Sequence, residues 1–134
     1  RRVKLLNKLR DEIHSNAKNH GWWEEERSFG EIIALCHSEL SEALEEYRNG
    51  YKSTEIYHNC ERDYDCGLYE PDGDNIECFG CSRHKPEGIP IELADCIIRI
   101  LDYCGKEGID IEEAIRIKHE YNKSRPYRHG GKVI

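Results

Sequence analysis

Residues 28–48 read SFGEIIALCHSELSEALEEYR, and this stretch decides the fold class. Its apolar residues recur every three or four positions, which is the period of an amphipathic helix. Ser28, with Glu31 three residues later, makes a capping box at the start, and Asn49-Gly50 supplies a stop signal. The stretch therefore predicts one long helix.

The same period predicts three more helices, over residues 2–20, about 90–104 and about 110–122. Residues 51–88 have no helical period and are rich in Gly and Pro, so they predict a loop insert with at most a short hairpin. The 134 residues are too few for two comfortable domains. We therefore expect a single all-α domain over residues 1–134, a bundle of four to five helices with an insert at 51–88.

Charge and hydropathy narrow the class of protein. A net charge of -7 argues against a nucleic-acid-binding protein. No apolar run approaches the roughly 20 residues needed to cross a bilayer, and the N-terminus lacks a signal-peptide core, so we expect no membrane association and a cytoplasmic location. Basic residues concentrate in the tail: Arg116, Lys118, Lys123, Arg125, Arg128 and Lys132. An acidic body with a basic tail is typical of a protein that holds cations and binds an anionic ligand, although a solvated surface has the same pattern.

Two acidic pairs occupy the second and third predicted helices. Glu39 and Glu42 are spaced i, i+3, and so are Glu92 and Asp95, so each pair leaves one face of its helix. Glu39 falls inside the apolar stripe, and the third helix is apolar around most of its circumference, which predicts that it is buried. Buried carboxylates need a partner, and a divalent cation would serve all four. Oxygen-only ligands favour Mg²⁺ or Mn²⁺ over zinc.

A salt-bridge network is the alternative to a metal site. Arg99 could pair with Asp95 or Asp102, which lie close to it on the same helix. Either pairing would leave Glu39, Glu42 and Glu92 short of cations, so the spacing favours the metal.

Three segments carry a resemblance to a known family: HSELSEALEE at residues 37–46, ELAD at 92–95 and YNKSRPYRHGGK at 121–132. Together they resemble the MazG-type all-α nucleotide pyrophosphohydrolases, whose signature is ExxE on one helix and ExxD on the next. The resemblance implies Mg²⁺-dependent hydrolysis of a nucleoside triphosphate to the monophosphate and pyrophosphate, in a homodimer or homotetramer. It also implies that the catalytic metal ligands are Glu39, Glu42, Glu92 and Asp95. Phosphoribosyl-ATP pyrophosphatase, of the same superfamily, is the closest alternative.

The resemblance also implies substrate-binding residues. Family members use a Lys and an Asn beyond the second motif, and Lys118 and Asn122 are the best matches, with Arg125 next. The alternative for each is a solvated residue in the last helical turn, where the helix dipole favours cations. Trp23, in the pair Trp22-Trp23, is the candidate for stacking on a base, but it could equally fill a gap between helices.

The insert predicts a second metal site. Cys78-Phe79-Gly80-Cys81 is a CxxC knuckle typical of zinc ribbons, and Cys60 and Cys66 form a more widely spaced pair. We predict one Zn²⁺ bound by Cys60, Cys66, Cys78 and Cys81; His58 or His84 could replace a Cys of the wider pair. Disulfides or free thiols are the alternatives. The other cysteines, Cys36, Cys96 and Cys104, lie in apolar helical patterns and are predicted to be core residues.

A function from another class also fits these features: a non-catalytic protein-interaction module, in which the helices are a scaffold and the zinc insert contacts a partner. Acidic residues outnumber basic ones in the insert, so the partner would be a protein and not a nucleic acid.

Overall fold

The computed structural model describes residues 4–60 and 84–127, except for the side chains of Cys60 and His84. These residues form four helices and one two-stranded sheet, in the order α1 (Leu5–Asn19), α2 (Phe29–Arg48), β1 (Tyr57–Cys60), β2 (His84–Glu87), α3 (Ile89–Glu107) and α4 (Ile111–Ser124). The prediction of a mostly helical protein is confirmed. None of the helices in these ranges has both the length and the apolar character that crossing a membrane requires.

The predicted capping box of α2 is confirmed, and α4 also begins with a side-chain cap. The Ser28 hydroxyl accepts a hydrogen bond from the Glu31 backbone N–H at 3.1 Å, and the Glu31 carboxylate accepts one from the Ser28 N–H at 2.8 Å. Gly50 follows the end of α2 with a φ of 91°, a left-handed conformation that favours glycine. At the start of α4, Asp110 accepts from the Glu113 N–H at 3.1 Å. These caps fix where the two helices begin.

The predicted end of α3 is wrong. Gly105 does not stop the helix, which continues to Glu107 and is followed by Gly108 with a φ of 69°. Gly105 lies against α1: a Cβ at this position would be 2.5 Å from the Cβ of His14. The glycine therefore permits a close approach of α3 to α1, which a sequence pattern cannot distinguish from a helix stop.

The chain divides into two compact units. One contains α1, the connector to residue 27, and the chain from residue 100 onward; the other contains residues 28–99, so α3 contributes to both. In the first unit, Asn7 Nδ2 donates to Asp110 Oδ1 at 2.8 Å, and the Asn7 backbone N–H donates to Glu112 at 3.0 Å. Lys4 also forms an ion pair with Asp110. The hydrogen bonds from Lys4 and Asn7 hold the pKa of Asp110 well below its usual range.

A buried polar cluster joins α1, the Trp connector and α3 within the first unit. Asp102 is 7% exposed, and its Oδ1 lies 2.8 Å from His14 Nδ1 and accepts from Trp23 Nε1 at 2.9 Å. The His14 and Trp23 rings meet edge to face at 6.0 Å. Two donors thus satisfy a carboxylate that would otherwise be costly to bury.

Small side chains fill the interior of the second unit. Ile32, Cys36 and Ala43 on α2 and Cys96 on α3 are buried. Burial raises the pKa of the Cys36 thiol, so it stays protonated and acts as a small apolar group. Cys36, Cys96 and Cys104 are all free and buried, which confirms their prediction as core residues.

The prediction that α3 is buried on nearly every side is wrong. Leu93, Ile97 and Ile98 are exposed on α3. On α2 a second apolar stripe is also exposed, consisting of Phe29, Ile33, Leu40, Leu44 and Tyr47. At about 100° per residue these five positions fall within roughly 60° of the α2 circumference. The apolar pattern of both helices therefore exceeds what the described part of the chain covers.

Candidate metal centre

Three carboxylates converge between α2 and α3. Glu39 comes from the middle of α2, while Glu92 and Asp95 come from the first turns of α3, and one oxygen from each lies within 4.8 Å of the others. The i, i+3 spacing of Glu92 and Asp95 turns both toward α2. The predicted convergence of the two acidic motifs is therefore present for these three residues.

The cluster is largely shielded from solvent. Glu39 is 6% exposed and Glu92 is 8% exposed, and Asp95 is half-buried. Glu42, the fourth predicted ligand, is exposed, and its carboxyl is hydrogen-bonded to that of Glu92. Glu42 thus lies at the edge of the cluster and contacts it through Glu92.

Arg99 pairs with a residue that the sequence analysis did not assign to it. Its Nε donates to Glu39 Oε1 at 2.6 Å, across from α3 to α2, whereas the salt-bridge alternative considered Asp95 and Asp102 as its partners. Asp102 is satisfied by His14 and Trp23 instead. Arg99 neutralises Glu39, and the cluster still holds more negative than positive charge.

The excess negative charge changes the titration of Glu92 and Asp95. Burial, the hydrogen bond with Glu42 and the charges of Glu42, Asp95 and Glu39 raise the pKa of Glu92 to about 7. Burial and Glu39 also raise the pKa of Asp95, against the opposing charges of Arg99 and Lys85. Near neutral pH the cluster therefore binds a proton, which reduces the repulsion between its carboxylates. A bound cation would reduce the same repulsion.

The donor set fits a hard divalent cation. Three carboxylates within 4.8 Å offer oxygen ligands only, which suits Mg²⁺ or Mn²⁺ better than a metal that prefers sulfur or imidazole. Two helices that also share a buried core hold these oxygens, so little rearrangement is needed to bring them to one ion. A metal held by these oxygens would in turn hold phosphate oxygens.

The predicted substrate residues lie in the unit that contains α1 and α4. Lys118 and Asn122 are exposed on the last turns of α4, and Arg125 is half-buried just after it. Both cations approach the Tyr121 ring: Lys118 Nζ is 4.8 Å from its centroid and the Arg125 guanidinium carbon is 5.9 Å from it. These residues therefore form one basic and aromatic group, while the carboxylates belong to the other unit.

Trp23 has a clear structural partner. Its indole N–H donates to Asp102, and Lys106 Nζ lies 4.6 Å from its ring centroid. The contacts with His14, Asp102 and Lys106 match the alternative in which this ring fills a gap between helices. Base stacking by Trp23 stays a prediction.

Most of the predicted zinc site lies outside the described residues. This applies to Cys66, Cys78 and Cys81, and for Cys60 the structure describes only the backbone, as the last residue of β1. The Zn²⁺ prediction therefore stays a prediction. The predicted short hairpin is present: β1 pairs antiparallel with β2 at the two ends of the insert.

The sequence analysis missed the interactions of two ionisable residues, His14 and Lys85. His14 meets Asp102 across 88 residues of sequence, and no local spacing connects them. Lys85 lies in the insert and was counted only for its charge, yet its charge acts on Asp95. The position of Lys85 just before α3 and its carboxylates was the available signal.

No protein-family model, no curated protein and no solved structure matches this chain at a significant level.

Proposed function

We propose that this protein is a Mg²⁺-dependent nucleoside triphosphate pyrophosphohydrolase that releases a nucleoside monophosphate and pyrophosphate. The observation that carries the proposal is the convergence of Glu39, Glu92 and Asp95 within 4.8 Å on two helices. These residues belong to the ExxE and ExxD motifs, which resemble those of the MazG-type enzymes.

The charge of the cluster supports a metal over a closed salt-bridge network. Glu39 is paired with Arg99, while Glu92 shares a proton with its acidic neighbours near neutral pH. A divalent cation would relieve this repulsion and remove the need for the proton. A complete salt-bridge network would leave no excess negative charge in the cluster.

In this proposal the residues of the cluster have separate roles in phosphoryl-transfer chemistry. Glu39, Glu92 and Asp95 hold the metal, which when bound neutralises phosphate oxygens and lowers the pKa of a coordinated water. In the metal-free protein, Glu42 shares a proton with Glu92 and holds the position of its carboxyl group. Arg99 fixes the Glu39 carboxylate on its other side. Glu39 is thereby held in one orientation before the substrate arrives.

The substrate is an anion that this acidic protein must bind with cations. Lys118, Asn122 and Arg125 are the proposed phosphate-binding residues, because Arg and Lys suit phosphate oxygens and the group is accessible on α4. Tyr121, between the two cations, adds an aromatic surface beside them. Trp23 remains the proposed base-stacking residue.

The exposed apolar stripe on α2 supports assembly into a homodimer or homotetramer. Phe29, Ile33, Leu40, Leu44 and Tyr47 together make an apolar surface of the kind that monomers rarely expose. The same stripe also favours the alternative of a non-catalytic protein-interaction module, which predicts a fold that binds a protein partner and hydrolyses no nucleotide.

A nucleotide panel tests the proposed function. Purified protein is incubated with the common and modified ribo- and deoxyribonucleoside triphosphates and with phosphoribosyl-ATP, and pyrophosphate release is measured with Mg²⁺ and with a chelator. We expect Mg²⁺-dependent release from at least one triphosphate. Release from phosphoribosyl-ATP alone would select the rival activity, and no release from any substrate would reject both.

Two glutamates of α2 provide a matched pair of variants. Glu39→Gln removes a ligand of the cluster, whereas Glu45→Gln changes an exposed glutamate on the same helix. We expect Glu39→Gln to lose at least about a hundredfold in activity, as for removal of a group that stabilises transition-state charge, and Glu45→Gln to keep it. Equal activity of the two variants would show that Glu39 is not part of the catalytic site.

A further inference from the structure

Two tyrosine rings stack on each other beside the C-terminus of α2. The ring centroids of Tyr51 and Tyr57 lie 4.5 Å apart with an interplanar angle of 13°, so the rings are nearly parallel. Tyr51 lies just beyond the end of α2 at Arg48, and Tyr57 is the first residue of β1. Both tyrosines are half-buried, so part of the stacked pair is accessible to a ligand.

Both tyrosines are bonded to Glu46 on α2. The helix ends in a Schellman motif, in which the Tyr51 backbone N–H donates to the Glu46 carbonyl oxygen at 3.2 Å. The second hydrogen bond of the motif runs from the Gly50 N–H to the Tyr47 carbonyl oxygen at 3.1 Å. The Tyr57 hydroxyl lies 2.7 Å and 2.9 Å from the two carboxylate oxygens of Glu46. One glutamate therefore fixes the backbone of Tyr51 and the orientation of the Tyr57 ring.

These bonds place the tyrosine pair on the face of α2 that carries the acidic cluster. Glu46 follows Glu39 by two helical turns, so their side chains leave the same face and lie about 10 Å apart along the helix axis. A nucleobase and the phosphates of its own triphosphate are separated by a distance of the same order. Glu39, Glu46 and both tyrosines belong to the same compact unit, that of residues 28–99.

The outer face of Tyr51 is the surface that can accept another ring. Within residues 4–60 and 84–127, Tyr57 is the ring that stacks on Tyr51, and no cation lies over the opposite face. Every nucleobase has a flat π-face, so a base can continue a stack of two parallel rings. Because Glu46 and Tyr57 already hold this surface in place, little ordering is required when a base binds.

We infer that Tyr51, backed by Tyr57, is a stacking surface for the nucleobase of the substrate. The inference rests on the proposed function for the identity of the ligand, a nucleoside triphosphate whose phosphates lie at the Glu39–Glu92–Asp95 cluster. It does not depend on Trp23, which belongs to the other unit.

Calorimetry of the full chain in the presence of Mg²⁺ tests the inference. The probes are the α,β-imido analogues of the four deoxynucleoside triphosphates, which resist cleavage, and inorganic tripolyphosphate, which has no base. We expect the wild type to bind at least one analogue more tightly than tripolyphosphate. Tyr51→Ala should bind that analogue about tenfold more weakly, the loss expected for one stacked base, and should bind tripolyphosphate like the wild type.

Two further variants separate stacking from a structural effect. Tyr51→Phe keeps the ring and should bind every probe like the wild type. Ile56→Ala removes an exposed apolar side chain from the same loop but no ring, and should also bind like the wild type. Three results would overturn the inference: equal affinity of Tyr51→Ala and wild type for every analogue, an equal loss of affinity for tripolyphosphate, or no analogue bound more tightly than tripolyphosphate.

Pyrophosphate release distinguishes a failure of this inference from a failure of the proposed function. If both hold, Tyr51→Ala raises KM for the cognate triphosphate in proportion to its weaker binding of the analogue. If the wild type hydrolyses nucleotides and Tyr51→Ala changes neither KM nor binding, the inference fails and the function stands. If binding of an analogue depends on Tyr51 but no nucleotide is hydrolysed, the proposed function fails and the stacking surface stands.

Discussion

Glu92 shows how the surroundings of one residue give it a chemical property that its sequence position alone does not. It is 8% exposed, is hydrogen-bonded to Glu42, and lies among Glu39 and Asp95, so its pKa rises to about 7. Below that pH the carboxyl carries a proton and is a poor metal ligand; above it, the carboxylate is available. The folded pKa lies above the ordinary value of 4.5, so the contribution of this group to metal-free stability falls as pH rises from about 4.5 to about 7.

Stabilisation by Mg²⁺ should therefore depend on pH. We expect Mg²⁺ to raise the Tm little near pH 6 and clearly more near pH 8, because the ion replaces a proton on Glu92 and relieves carboxylate repulsion. Thermal unfolding with Mg²⁺ and with a chelator at both pH values measures this. Glu92→Gln is the control and should lose the difference. A Tm shift that is the same at both pH values would show that Glu92 is not a ligand.

The motif spacing predicted which residues meet at the site, but it could not predict how their charges are compensated. Glu39, Glu92 and Asp95 converge as their i, i+3 spacing and helical stripe indicated. The contact of Arg99 with Glu39 was not among the pairings considered, because a contact from α3 to α2 depends on the packing of the helices and not on spacing along α3. The link between His14 and Asp102 was likewise invisible, since it depends on how α1 packs on α3.

The helices show which local signals are sufficient to define an element. Side-chain caps at Ser28 and Asp110 marked the starts of α2 and α4, because each cap satisfies a backbone N–H that the helix itself leaves free. Gly105 led to the wrong prediction of the end of α3, because this glycine lies inside the helix, where its lack of a side chain permits contact with α1. The true stop, Gly108, carries the left-handed φ that distinguishes a terminating glycine.

Replacing this internal glycine should destabilise the protein despite a gain in helix propensity. In Gly105→Ala the new methyl group would lie 2.5 Å from the His14 Cβ, and overpacking of this kind costs about 1–3 kcal/mol. Gly30→Ala is the matched control, because its new methyl would meet only the Ser28 hydroxyl at 3.9 Å. It should gain up to about 1 kcal/mol from helix propensity. Urea unfolding measures both changes, and a Gly105→Ala protein as stable as Gly30→Ala would contradict the close packing of α1 on α3.

For the whole molecule, the balance between buried and exposed apolar surface is the main observation. Among the described residues no large side chain is fully buried, while the apolar stripe on α2 and four large apolar residues of α3 are exposed. The apolar circumference of α3 predicted a buried helix, and the described part of the chain leaves some of that circumference exposed. Periodicity reports that a helix face is apolar, and it does not report whether the same chain or a second copy covers that face.

A substitution in the stripe tests the proposed assembly. We expect the wild type to have the mass of a dimer or tetramer by light scattering. Leu40→Glu should shift it toward the monomer, because a charge in an apolar interface is left without solvent. Ser41→Glu, one residue away and outside the stripe, should assemble like the wild type. A monomeric wild type, or a Leu40→Glu protein of unchanged mass, would contradict this use of the stripe.

The most direct measurement of the central claim is pyrophosphate release by Asp95→Asn. This variant keeps the shape of the side chain and leaves the Arg99–Glu39 ion pair in place, so its circular dichroism should match that of the wild type. Asparagine lacks the negative charge that a divalent cation needs from this ligand. The account predicts a folded variant that releases no pyrophosphate from a triphosphate that the wild type cleaves in the presence of Mg²⁺. A folded Asp95→Asn protein with wild-type turnover would contradict the account.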